Sequence, residues 1–184
     1  YQFLNLFGNI MAEKIVGEDR VRALYAAQPD GGLGYTIVRP LQLGAAMAGS
    51  PELGDALAAH GMPLGIAFQL RDDMLGAFGD SAKTGKPVGD DLREGKPTVM
   101  LALAREAASA SQCSVLDRVG PSATDADVAA IQQVMIDTGA VDKIGAEIER
   151  LLDEALQAIN ALPDVNGSRA ALRALADFVV DRDT

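Results

Sequence analysis

Apolar residues in this chain recur at the three- and four-residue spacing of helices, and β-branched alternation is scarce. The clearest stretch is Ala140 to Ile159. There Ile144, Ile148, Leu151, Leu152, Ala155 and Ile159 fall at helical spacing and predict an amphipathic helix. Leu64 to Leu75 is apolar on nearly every side until Arg71, the pattern of a helix surrounded by other helices. Residues 2–16 are apolar enough to be helical, and Asp19 to Gln28 reads as a further turn and helix. Pro29-Asp30-Gly31-Gly32 is a strong break. Pro40 fits the first turn of a helix continuing through Leu43, Ala46 and Met47. Ser50 and Pro51 read as the N-cap and first residue of the next helix, and His60-Gly61-Met62-Pro63 reads as another break. A loop rich in glycine and charge follows, from Gly76 to Lys96. Pro97 then opens a helix, Thr124 with Asp125 caps Asp127 to Met135, Gly139 stops it, and Ser168 caps a last helix. No solenoid repeat or linker interrupts the series, so the expectation is a single all-α domain over residues 1–184, built as a helical bundle.

Composition agrees with helices. Hydrophobic residues make up 48% of the 184, but aromatics only 4% and Trp none, so the core falls to Ala, Leu, Val, Ile and Met. These are mostly residues that helices order at little entropic cost. The length suits one domain with a sizeable core.

Charge narrows the partners. With 26 acidic residues against 16 basic ones the net charge is −10, a field that repels nucleic-acid backbones and anionic membrane surfaces. An anionic substrate would need local help from metal ions or clustered Lys and Arg. The single cysteine, Cys113, excludes an internal disulfide and suits a reducing cytoplasm. No apolar run approaches the ~20 residues of a membrane span. No signal peptide is visible, and the chain opens at Tyr1 without a Met.

One segment concentrates the chemistry. Phe68-Gln69-Leu70-Arg71-Asp72-Asp73-Met74-Leu75 is followed by Gly79-Asp80, Thr84-Gly85-Lys86, Gly89-Asp90-Asp91-Leu92 and Gly95-Lys96. Two adjacent carboxylates ending an apolar helix are expensive unless a cation is bound there. Mg²⁺ takes one or two carboxylates together with phosphate oxygens and waters. A glycine-rich loop carrying Lys83, Lys86 and Lys96 could hold a diphosphate from the other side. From composition alone, a solvated helix end and a flexible connector are the preferred description of the same residues.

The spacing FQxxDDxL…GD…TGK…GDDLxxGKxT resembles the second aspartate-rich region of the trans-isoprenyl diphosphate synthases, the polyprenyl synthetase family. The agreement runs from Phe68 to Thr98. Thr36 to Gly49 resembles the family segment YTxxxPLxLGAxLAG, and Asp137 to Ile159 its late helix SGAVExxxxxxxxLLxEAxxAL. The loop wording is nearest to actinobacterial-type enzymes making geranylgeranyl or farnesyl diphosphate. The resemblance implies a bundle of helices around a deep cavity, usually in a homodimer. It also implies a Mg²⁺-dependent condensation of an allylic diphosphate with isopentenyl diphosphate. Carried over by position, Asp72 and Asp73 become Mg²⁺ ligands and Lys86 a diphosphate contact. Gln69 becomes a polar group near the reacting carbons, against the alternative of a core amide bonded to backbone. Lys96 becomes a further diphosphate candidate, against the alternative of a surface charge. Phe68, Tyr35 and Thr36 fall on the substrate side, with Tyr35 equally readable as a packed aromatic.

Departures from the family pattern are specific. The motif is usually DDxxD, but position 76 is Gly, so the third carboxylate on the face of Asp72 is missing. Asp80, if helical, would stand ~10 Å farther along the axis than Asp73. Gly31 and Gly32 occupy the place of a Lys-Thr or Lys-Ser pair. Nothing in residues 1–34 resembles the first aspartate-rich motif or its Gly-Arg-Arg element. The expectation is therefore an enzyme whose N-terminal half is missing from this chain, inactive as the bare 184 residues. A silent join near Gly31–Gly34 or Lys14-Ile15 would explain the mismatch. The competing expectation is a non-catalytic or regulatory subunit of a prenyl diphosphate synthase. A terpene cyclase of the same fold fits less well, because such proteins normally lack this lysine-bearing loop.

Overall fold

The structure, a computed structural model, describes residues 37–79 and 88–181. The expected features within residues 1–34, together with Tyr35, Thr36, Asp80, Lys83 and Lys86, lie outside the described residues. The described elements are helix α1 Val38–Met47, a 3₁₀ turn Pro51–Leu53, α2 Gly54–Phe78, α3 Asp90–Glu94, α4 Val99–Ala107, α5 Ala110–Leu116, α6 Asp125–Asp137, α7 Ala140–Ile159 and α8 Ser168–Asp181. No strand occurs among the described residues, and the all-α class holds.

The chain divides into two compact units, Tyr1–Ala67 with Arg150–Val180 and Phe68–Glu149 with Asp181–Thr184. In the first, Ala45, Leu57 and Leu162 form a buried cluster closed by Leu41, Leu53, Ala56 and Leu172. His60 is fully buried, with its Nδ1 2.9 Å from the Ala155 carbonyl oxygen. An oxygen acceptor requires the proton on Nδ1, so the ring ties α2 to the last turns of α7. A Cβ on Gly61 would come within 3.0 Å of Val38 Cγ2 and 3.3 Å of Val38 Cα, so glycine permits the close approach of α1 to α2.

The expected break at His60–Pro63 does not occur: α2 runs 25 residues straight through it. Pro63 cannot donate to the Ala59 carbonyl, and an interior proline costs about 3 kcal/mol. Leu57, His60, Gly61, Leu64 and Ala67 are all buried along this part of the helix. Burying a leucine is worth ~1.5–3 kcal/mol, so packing overrides the local signal. Leu64 is completely buried. Leu64→Ala is expected to lower stability by about 2–5 kcal/mol, measured by denaturant unfolding, with the helical content of the folded protein unchanged.

The second unit is built around α6, whose Val128, Ile131, Val134 and Met135 are buried and which packs on α4 and α5. Its start is a capping box: the Thr124 hydroxyl accepts from the Asp127 N–H at 3.2 Å while Asp127 Oδ2 accepts from the Thr124 N–H at 3.0 Å. The Thr124 hydroxyl also donates to Asp127 Oδ2 at 2.6 Å, and this bond, followed by that from the Thr124 N–H, holds the Asp127 carboxyl below its ordinary range. Pro97 does not itself open α4. Thr98 does, accepting from the Leu101 N–H at 3.2 Å, so Pro97 stands just outside the cap. Ser168 begins α8 rather than capping it, and its hydroxyl accepts from the Val165 N–H at 3.2 Å. The helices α3 and α5 were not expected from the pattern. Ser109 and Gln112 start α5 through a capping box of their own.

Candidate functional site

The last turns of α2 carry Gln69, Asp72, Asp73 and Gly76. Residues four apart share a helix face, and the Gln69 amide accordingly donates to Asp73 Oδ1 at 2.9 Å. Asp73 is only 7% exposed, while Phe68 and Asp72 are half-buried.

The loop beyond α2 is shaped by glycines in the left-handed region, Gly89 (φ 74°) and Gly95 (φ 71°), which bracket the five residues of α3. Gly95 has this conformation because the chain must reverse sharply enough for the Lys96 N–H to reach back to the Asp91 carbonyl at 3.0 Å. Several bonds fix α3 in place. The Arg93 guanidinium donates to the Val88 carbonyl at 2.6 Å and pairs with Asp125 at the start of α6. The Leu92 carbonyl accepts from the Gly120 N–H at 2.9 Å, and the Leu92 side chain is buried. At the end of α2, Gln132 from α6 donates to the Ala77 carbonyl at 2.6 Å.

These anchors bring Asp91 and Lys96 to the acidic end of α2. The Lys96 ammonium is 2.9 Å from Asp73 Oδ1 and 2.9 Å from Asp91 Oδ2. Asp91 is as buried as Asp73, at 8% exposed, whereas the Lys96 side chain keeps 35% of its surface in solvent. Desolvation alone would depress the Lys96 pKa. The hydrogen bonds to Asp73 and Asp91, with the charges of both carboxylates, outweigh it and raise the pKa above its ordinary 10.5, so Lys96 stays protonated. Two carboxylates around one ammonium leave a formal charge of about −1, an arrangement receptive to a further cation.

Of the residues singled out in the sequence, the structure brings Gln69, Asp73 and Lys96 together and keeps Asp72 next in the chain. Lys96 is not a bare surface charge, and the Gln69 amide donates to a carboxylate. Lys86, Tyr35 and Thr36 lie outside the described residues. Asp91 received no role from the sequence. The available signal was its position five residues before Lys96, opposite a helix that carries glycine where an acid was expected.

The donor set fits Mg²⁺ in kind. Asp72 and Asp73 offer hard oxygen ligands, and Mg²⁺ binds through one or two carboxylates plus phosphate oxygens and waters. Among the described residues no group of three or more His, Cys, Asp or Glu side chains is arranged to hold a metal alone. Any Mg²⁺ there would depend on phosphate and water for much of its coordination.

The all-helical architecture is that of the isoprenoid synthase fold, seen in geranylgeranyl diphosphate synthase structures. A geranylgeranyl pyrophosphate synthase from Corynebacterium glutamicum, solved with isoprenyl diphosphate and magnesium, superposes with a TM-score of 0.79 and 37% identity, over 97% of this chain and 56% of that one. A polyprenyl synthase from Caulobacter crescentus CB15, solved with calcium and isoprenyl diphosphate, gives a TM-score of 0.72 at 34% identity, over 80% of this chain and 46% of that one. In sequence, the geranylfarnesyl diphosphate synthase of Aeropyrum pernix is 34% identical over 151 residues, 81% of this chain and 47% of the relative. The family model of the polyprenyl synthetases matches residues 32–136. The chain belongs to the polyprenyl synthetase family. It spans about half the length of the curated relatives it matches.

Proposed function

We propose that the full-length protein is a Mg²⁺-dependent prenyltransferase. It joins an allylic diphosphate to isopentenyl diphosphate and releases a short- or medium-chain isoprenyl diphosphate of the geranylgeranyl or farnesyl type. The observation that carries this reading is the buried Asp73 carboxylate at the end of α2, flanked by Asp72 and bonded to Gln69 and Lys96. That the Corynebacterium relative was solved with isoprenyl diphosphate and magnesium supports the choice of ligand.

In this reading Asp72 and Asp73 hold Mg²⁺, which when bound neutralises the negative charge that grows on the departing diphosphate. The Gln69 amide orients the Asp73 carboxylate, as outer hydrogen-bond partners of metal ligands do. Lys86 and the permanently protonated Lys96 contribute positive charge toward the diphosphate. The family resemblance assigns Phe68, Tyr35 and Thr36 to substrate binding. The allylic carbon–oxygen bond breaks and the electron pair leaves with the diphosphate. The terminal alkene carbon of isopentenyl diphosphate then forms the new carbon–carbon bond, and loss of a proton restores the double bond. A cytoplasmic homodimer is part of the same proposal. The lone cysteine supports the compartment, and no described helix is long and apolar enough to cross a membrane.

The test is product formation by the purified full-length protein from labelled isopentenyl diphosphate with dimethylallyl, geranyl or farnesyl diphosphate. Product is expected with Mg²⁺, none after chelation, and full recovery when Mg²⁺ is returned. The glycine at position 76 favours a second reading, a non-catalytic subunit of a prenyl diphosphate synthase. No turnover with any of the three allylic substrates, but turnover on adding a partner synthase, would select it.

A further inference from the structure

We propose that Gly76 and Asp91 are a reciprocal pair: the absence of a side chain at 76 admits the Asp91 carboxylate to the acidic end of α2, where it positions Lys96 beside Asp73. The inference rests on the assignment of Asp72 and Asp73 to Mg²⁺ made above.

A Cβ built on Gly76 would overlap the carboxylate of Asp91, coming within 2.8 Å even of its more distant oxygen, Oδ1. Ordinary carbon–oxygen contacts are longer by several tenths of an ångström, so alanine at 76 and the present Asp91 cannot coexist. Nor can the loop simply slide away. Asp91 lies in α3, which Arg93 ties to Val88 and Asp125, Leu92 ties to Gly120, and the buried Leu92 side chain seats in the second unit. The strain of a larger residue would therefore fall on the Asp91 side chain itself.

What Asp91 does there follows from its partner. It is 8% exposed, and a carboxylate so placed needs a cation. Its Oδ2 takes the same Lys96 ammonium that Asp73 Oδ1 takes, both at 2.9 Å. With two acceptors the ammonium has a defined place between α2 and α3. With Asp73 alone it could swing about a single bond and close over the carboxylate. Position 76 follows Asp72 by one helical turn, so the loop supplies a carboxylate where the helix itself supplies none. Asp91 acts through Lys96 and is a positioning residue. The glycine at 76 is then the condition for the arrangement rather than a plain loss.

The test is thermal melting of the full-length protein at fixed inorganic pyrophosphate while Mg²⁺ is titrated, read as the Mg²⁺ concentration giving half the maximal stabilisation. Outer-shell partners of metal ligands typically change metal affinity by 10–100-fold. Gly76→Ala and the isosteric Asp91→Asn are each expected to raise the Mg²⁺ requirement by about tenfold or more. The exchange variant Gly76→Asp with Asp91→Gly returns the carboxylate from the helix side. It is expected to bring the requirement back to within about threefold of the wild type, a coupling that independent sites would not show. An unchanged requirement in Gly76→Ala and Asp91→Asn would overturn the pair. So would an exchange variant no better than Asp91→Gly alone. Should the exchange variant fail to melt cooperatively, Asp91→Asn decides by itself, since it preserves shape and removes only the charge. A wild type that shows no Mg²⁺-dependent stabilisation removes the metal assignment itself. A normal wild type with indifferent variants removes only the pair.

Discussion

Asp73→Ala is expected to reduce the proposed prenyl transfer by the full-length protein at least ~100-fold while barely changing the stability of the metal-free protein. The two effects separate because Asp73 has two kinds of neighbour. Without metal, its loss removes the bonds from Gln69 and Lys96. Gln69 is half-buried, and Lys96 keeps Asp91 and can turn its exposed third toward water, so the cost is about 1 kcal/mol. During turnover, the same carboxylate is proposed to hold the cation facing the departing diphosphate, where charge stabilisation is worth several kcal/mol. Steady-state rates at saturating Mg²⁺, set beside apo melting curves, check both halves. A variant within a few-fold of wild-type activity would remove Asp73 from the metal site. Equal collapse of rate and stability would make it a structural residue.

Lys96→Met is expected to act in the opposite sense. It removes the cation that, among the described residues, bridges Asp73 and Asp91, and leaves two carboxylates whose side chains are each only 11% exposed. Breaking a fully buried pair costs about 3–5 kcal/mol. Because Lys96 is about a third exposed, solvent screening reduces this to ~1–3 kcal/mol, or ~2–10 °C in melting temperature for a chain of this size. Mg²⁺ alone, without diphosphate, is expected to restore part of the loss, since the cation takes over from the ammonium. In the wild type the same addition should have a smaller effect. The pH dependence has a definite sign. The folded pKa of Lys96 lies above its ordinary 10.5, so its stabilisation is complete below that value and is lost only as pH rises through the raised one. The difference between wild type and Lys96→Met should therefore not shrink through titration of Lys96 anywhere between about pH 6 and 9. A gap that closes within that window through Lys96 would contradict a folded pKa raised above 10.5.

The helices legible in the sequence are those whose signals are local. Ala140 to Ile159 shows an apolar face at regular spacing, and Thr124 announces the start of α6 through its own cap. The misread element is α2, where His60-Gly61-Met62-Pro63 carries the local marks of a break. The forces that keep the helix intact come from Val38 and Ala155, which are distant in sequence. The short α3 escaped notice because it lies between two left-handed glycines in a segment with the composition of a loop. At the site, the acid pair and Lys96 were legible as a pattern, because their spacing resembles that of a known family. Asp91 was not, since its place depends on an empty volume beside Gly76 that only the folded chain defines. The missing third acid read as a deficit from the sequence. In the fold, that volume is occupied by another carboxylate.

Melting of the full-length protein with Mg²⁺ and inorganic pyrophosphate, separately and together, tests most directly whether the acidic end of α2 is a metal–diphosphate site. A ligand at a hundredfold excess over its Kd stabilises the folded state by about 2.7 kcal/mol. Both ligands together are expected to raise the melting temperature by ~5–10 °C, either alone much less, and the joint effect should vanish in Asp72→Ala and Asp73→Ala. A joint shift of the same size in those variants, or none in the wild type, would contradict the assignment.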